Sequence, residues 1–298
     1  MIGGYGSDIY YVANVGDVVI ETNVLASTGG TDLVYSYLAA YTLGANIENL
    51  VLIGTAANGT GNGLANNLTG DAAANRLDGG VGNDTLVGGT GNDTYIVDSL
   101  SDVVTERTTT STEIDAVQAA VSWTLGANLE NLILTGTAAN GTGNALANSL
   151  TGDAAANRLD GGAGADNLSG GVGNDILIGG TGNDTLTGGL GSDIVVFKTA
   201  LNATTNKDTI TDFNHTDDTI QLYKMVMSAL GSAGTLSANN FKLSTQALDS
   251  SDRIIYNVNS GALSYDADGS GATASIQIAL IGVTTHPTNI DYTDFSIV

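Results

Sequence analysis

The chain has 298 residues, of which 31 are acidic and only 8 basic, for a formal net charge of −23. Such a balance excludes nucleic acid as a partner, because no basic stripe exists to meet phosphates. The absence of cysteine excludes disulfide staples, and no apolar run approaches the roughly 20 residues of a membrane span or the pattern of an N-terminal signal peptide.

In chain order, the first recognisable element is GGYGSDIYY at Gly3–Tyr11, with glycine at places one, two and four, an acid at place six and an apolar residue at place eight. No earlier coil is present to stack on Asp8. Segment 1–41 therefore reads as a truncated repeat with a connecting β coil, expected to be either the cut end of a longer protein, the favoured reading, or the exposed first coil of a chain without the usual solenoid cap. At Thr42 a longer unit begins, TLGANIENLVLIGTAANGTGNGLANNLTGDAAANRLDGGVG, and it recurs at Thr124 as TLGANLENLILTGTAANGTGNALANSLTGDAAANRLDGGAG. The duplication sets out two modules, 42–123 and 124–197, and self-similarity of this kind indicates a solenoid. GSDIYYVANVGDVVIE at Gly6 likewise recurs as GNDTYIVDSLSDVVTE at Gly91. The alternation of Val117, Ala119, Val121, Trp123 and Leu125 extends β coils through the connecting stretch.

The first module carries two tandem nonapeptides, GGVGNDTLV (Gly79–Val87) and GGTGNDTYI (Gly88–Ile96). The second carries four, GGAGADNLS, GGVGNDILI, GGTGNDTLT and GGLGSDIVV, from Gly161 to Val196. Glycine at three of four places allows a tight turn with inward carbonyls. The glycines concerned are Gly79, Gly80, Gly82, Gly88, Gly89 and Gly91 in the first array. In the second they are Gly161, Gly162, Gly164, Gly170, Gly171, Gly173, Gly179, Gly180, Gly182, Gly188, Gly189 and Gly191. Place six adds a carboxylate, Asp84, Asp93, Asp166, Asp175, Asp184 or Asp193, and hard oxygen ligands of this kind suit Ca²⁺. The remaining triplet has strand length and alternates, pointing Leu86, Leu168, Leu177, Leu186 and Val195 to one side.

Two nonapeptides per coil place same-side aspartates 18 residues apart, so Asp166 stacks on Asp184 and Asp175 on Asp193. Carboxylates stacked this closely repel by several kcal/mol unless a cation lies between them. The apolar row continues backwards through Leu77 and Leu68, and through Leu159 and Leu150. There the acid place holds Asn75, Asn66, Asn157 and Asn148. Those coils are expected to be scaffold with little or no calcium, and the first array to be weaker than the second.

Segment 198–298 leaves the nonapeptide pattern at DTITDFNHTDDTIQL, where Asp208, Asp212, Asp217 and Asp218 either close the last calcium layer or are solvated turn acids. YDADGSGA at Tyr265 has an EF-hand flavour but lacks the first and last ligands of such a loop, which favours a hairpin turn.

Six in-register copies of this motif resemble the repeats-in-toxin (RTX) family of haemolysin-type calcium-binding repeats. The resemblance implies an all-β chain: a right-handed parallel β-roll or β-solenoid in two tandem modules with calcium between glycine turns, followed by a mostly β C-terminal cap. It also implies a secreted, extracellular protein exported by type I secretion machinery, with the terminal YTDFSIV resembling the uncleaved signal of that route. Enzymes of the family carry their chemistry in a separate upstream domain. Here His215 and His286 are the only histidines, and no HExxH or GxSxG is present, so the chain is read as non-enzymatic. The function expected is a calcium-binding module that folds on calcium after export. The alternatives are an adhesin or carbohydrate-binding solenoid with a cell-surface or polysaccharide ligand, or the non-catalytic tail of a secreted hydrolase, lyase or toxin.

Overall fold

A nonapeptide has room for one three-residue strand and one glycine turn, so successive strands must lie on alternate sheets. The computed structural model describes residues 1–23, 30–107 and 112–298, in two compact units, 1–137 and 138–298. In the first, one parallel sheet runs through Ile9–Val12, Leu33–Ser36, Asn49–Leu52, Asn67–Thr69, Thr85–Val87 and Val103–Thr105. The other runs through Ala40–Thr42, Asn58–Thr60, Arg76–Asp78, Thr94–Val97, Ala116–Ala119 and Asn131–Leu134. Leu50, Leu68 and Leu86 face Leu77, Tyr95 and Val117 between the sheets, all wholly buried. Burial of each such side chain is worth about 1.5–3 kcal/mol, which is how short strands with few neighbours in sequence hold together.

The second unit repeats the plan. Leu150, Leu168, Leu186 and Ile210 are in register on one sheet, and Leu159, Leu177, Val195 and Ile220 on the other. The solenoid continues past the last nonapeptide, since Asp208–Ile210 pairs in parallel with Ile276–Ile281, and Thr219–Leu222 with Phe295–Ile297. Ile276–Ile281 then joins Ala262–Tyr265 in an antiparallel hairpin, so YDADGSGA is a hairpin turn. Strand pairing runs in register across residue 197, from Thr185–Leu190 to Asp208–Ile210 and from Ile194–Phe197 to Thr219–Leu222. The helices among the described residues are three 3₁₀ turns, Ser228–Leu230, Ala238–Asn240 and Tyr292–Asp294. No helix of the described residues is long and apolar enough to cross a membrane.

Candidate calcium-binding site

In the second unit the place-six side chains form two ladders in which each carboxylate divides its oxygens between two tasks. Asp184 Oδ1 accepts the backbone N–H of Asp166 at 2.9 Å, and Asp193 Oδ1 that of Asp175 at 2.8 Å, each 18 residues earlier. Asp166 and Asp175 do the same for Asn148 and Asn157 at 2.7 and 2.8 Å. The second oxygen is different. Oδ2 of Asp166, Asp175, Asp184 and Asp193, and of Asp84 and Asp93 in the first array, is buried without a hydrogen-bond partner. None of the six residues is more than 2% exposed.

An orphaned, ionisable oxygen in such a place costs free energy that a cation restores. The turn glycines are positioned to join it. The point where a Cβ on Gly161 would sit is contacted by Asp166 Oδ2 and lies 2.6 Å from the carbonyl oxygen of Gly179 in the next layer; Asp175 Oδ2 and the Gly188 carbonyl converge in the same way at Gly170. Gly180 and Gly182 adopt φ of +105° and +142° and pack directly against the carbonyls of Gly162 and Gly164, so no side chain fits at either position. Bound calcium would supply positive charge and accept the carboxylate and carbonyl oxygens, for which its preference for six to eight hard ligands is suited.

Electrostatics point the same way. Burial, with the neighbouring carboxylates adding to it, pushes Asp166 up to about 7 and Asp93 and Asp175 up to about 6. Asp84, Asp184 and Asp193 are raised mainly by burial.

The asparagine layers have no such orphan at the corresponding atoms. Oδ1 of Asn66, Asn75, Asn148 and Asn157 accepts the N–H of the residue four earlier, at 2.7 Å in every case. The amide nitrogens of Asn66, Asn75 and Asn157 donate to the carbonyls of Ile47, Ala56 and Ala138. An amide thus satisfies internally what an aspartate leaves open.

The ladders also run beyond the nonapeptides. Asp102 accepts the Asp84 N–H, Asp115 that of Asp93, and Glu130 that of Asp115, at 2.7–2.9 Å. Near the start of the chain Asp32 serves Asp8 and Glu48 serves Asp32. In the last coils Asp208 serves Asp184 and Asp218 serves Asp193, whereas Asp212 accepts from the turn amides of Gly188 and Gly189. Asp217 lies outside the ladder and accepts from the Asn214 side chain. Sequence spacing identified the nonapeptide members but not Asp32, Glu48, Asp102, Asp115 or Glu130; the signal available for Asp102 was the recurrence of GDVVIE as SDVVTE, and for Glu48 and Glu130 that of TLGANIENL as TLGANLENL. The two histidines are apart, His215 against Asp294 at 2.8 Å and His286 against the Ile281 carbonyl at 3.0 Å.

Comparison with known proteins agrees with this geometry. Residues 149–292 match the family described as peptidase M10 serralysin C terminal, and residues 60–95 match the RTX calcium-binding nonapeptide repeat in four copies. Both are non-catalytic segments typical of secreted proteins. No curated protein matches the chain. Among solved structures, the extracellular lipase LipA from Serratia marcescens is 15% identical, with a TM-score of 0.33, over 91% of this chain and 45% of the lipase. The chain thus spans less than half the length of that enzyme. Stacked glycine turns and buried place-six carboxylates thus accompany two matching descriptions, and the chain carries RTX calcium-binding nonapeptide repeats and a serralysin-type C-terminal segment.

Proposed function

We propose that this chain is the calcium-binding β-roll module of a secreted bacterial protein, that it folds on calcium after type I export, and that it is not itself catalytic. The observation that carries this reading is the row of six buried aspartate Oδ2 atoms without hydrogen-bond partners. The ligands proposed are those oxygens together with carbonyls of the glycine turns at Gly79–Asp84, Gly88–Asp93 and the four turns from Gly161 to Asp193. Extracellular modules of this general class bind calcium with dissociation constants of about 10⁻⁴ to 10⁻³ M, far above cytosolic calcium, so the carboxylates would repel inside the cell and be neutralised outside. An unfolded chain suits passage through a secretion channel.

The test is far-UV circular dichroism of the chain, first stripped with a chelator and then titrated with calcium. The β signal is expected to rise with calcium and fall again on chelation. A full β signal in chelator, unchanged by calcium, would reject the proposal.

A further inference from the structure

Where a nonapeptide meets the connecting coil, a group of three carboxylates occurs twice, at matching places of the repeated sequence: Asp8, Glu21 and Asp32, then Asp93, Glu106 and Asp115. In each group, one oxygen per residue lies within 4.8 Å of the other two. The second group is wholly interior, with Asp93 and Asp115 each 1% exposed and Glu106 7%.

A phenol accompanies each group at the same place. Tyr95 Oη donates to Glu106 Oε2 at 2.8 Å and accepts the N–H of Gly88 at 3.0 Å; Tyr10 Oη donates to Glu21 Oε2 at 3.1 Å. Asp93 uses Oδ1 for the Asn75 N–H, and Asp115 uses Oδ1 for the Asp93 N–H, both at 2.7 Å. Asp93 Oδ2 is then left buried and without a hydrogen-bond partner. Its direction is fixed by Gly88, where an added Cβ would collide with both Asp93 Oδ2 and Tyr95 Oη. The orphaned oxygen therefore points into the tyrosine–glutamate pair, not out to solvent. No ion pair among the described residues reaches Asp93 or Asp115.

Three carboxylates in a dry, shared space repel strongly and call for a hard multivalent cation. We propose that each triad is a calcium site of a second kind, in which a connecting coil replaces the glycine turn and supplies two of the three carboxylates. The place suits a clamp. Asp93 and Asp115 precede Thr94–Val97 and Ala116–Ala119, neighbouring strands of one sheet, whereas Glu106 follows Val103–Thr105 on the opposite sheet. Asp8 and Asp32 likewise precede the paired strands Ile9–Val12 and Leu33–Ser36. An ion there joins the two sheets where the repeat array gives way to the connecting coil.

The proposal takes the identity of the ion, and Asp93, from the calcium reading above but depends on Glu21, Asp32, Glu106 and Asp115, which that reading does not use. The test measures calcium stoichiometry of the full chain by equilibrium dialysis, for wild type, Glu106→Gln, Glu21→Gln and the double variant, with Asp175→Asn/Asp184→Asn as reference. Glutamine keeps the shape and removes the charge, its single oxygen accepting from either the tyrosine hydroxyl or the backbone N–H groups that the carboxylate now serves together. Each single glutamine variant is expected to lose about one ion per chain, and the double variant about two, with the far-UV spectrum in saturating calcium unchanged. Terbium emission excited through tyrosine gives an independent readout, expected to fall in Tyr95→Phe with stoichiometry retained, and it decides the matter should Glu106→Gln fail to fold. Full stoichiometry in both glutamine variants overturns the proposal. If the reference variant loses ions while the glutamine variants do not, only the triads fail. A wild-type chain that takes up no calcium overturns both readings.

Discussion

Asp175 and Asn157 occupy the same place in adjacent layers and differ by one atom group, yet they solve burial in opposite ways. Asn157 accepts the Asp153 N–H and donates to the Ala138 carbonyl; Asp175 accepts the Asn157 N–H with Oδ1 and leaves Oδ2 orphaned next to the Gly188 carbonyl. An amide in place of Asp175 would set an N–H beside that carbonyl and remove a buried charge. Asp175→Asn should therefore stabilise the calcium-free chain, by about 1 kcal/mol on the usual net value of a hydrogen bond, while lowering stability in calcium. Urea unfolding with chelator and with saturating calcium reads both signs. A variant that loses stability in both conditions would show that Oδ2 has a structural role unrelated to an ion.

The ladder as an element titrates in a direction that follows from burial. Asp93, Asp166 and Asp175 sit at about 6 to 7, and Asp208 is also raised, chiefly by burial and then by Asp184. A carboxylate whose folded value exceeds its unfolded value, near 3.9, binds protons more tightly when folded. Without calcium its favourable contribution is fully present below about pH 4 and is lost as pH rises through 6 to 7. In chelator, acidification from pH 8 to pH 5.5 should therefore increase β signal, a proton standing where the ion would be; calcium affinity should weaken over the same interval. Flat calcium affinity from pH 8 to pH 5.5 would remove the carboxylates from the site.

The element scale also explains what could be read from the sequence. Leu150, Leu168 and Leu186, and the aspartates stacked beside them, were legible because the repeat keeps a step of 18 residues. Asp115, Glu130, Asp208 and Asp218 hold the same kind of rung, but their steps are 22, 15, 24 and 25 residues. Connecting loops add or remove residues between layers without disturbing the sheet register, and only strand pairing shows which acids line up. Glu106 was hidden for a related reason: its partners Asp93 and Tyr95 belong to a nonapeptide, whereas its own segment lacks the nonapeptide step and recurs only once, as GDVVIE against SDVVTE.

For the molecule as a whole, a net charge of −23 raises the question of whether calcium acts as a specific ligand or as general screening of a highly acidic chain. The two differ in reach. Mobile salt screens exposed charges over a Debye length of about 10 Å at 0.1 M but acts much less on buried ones. The place-six aspartates are buried, and their orphaned oxygens need a ligand in contact, not a diffuse atmosphere. Adding 0.5 M sodium chloride to the chelated chain should therefore restore little of the β signal, whereas millimolar calcium at low ionic strength should restore it. Magnesium is the sharper comparison at equal charge, because it demands near-ideal octahedral geometry and dehydrates reluctantly, so a site built from turn carbonyls and single carboxylate oxygens should favour the larger ion. Equal recovery in sodium chloride, magnesium and calcium would assign folding to the relief of overall charge, and the buried oxygens would need another explanation. Recovery in calcium alone assigns it to the sites.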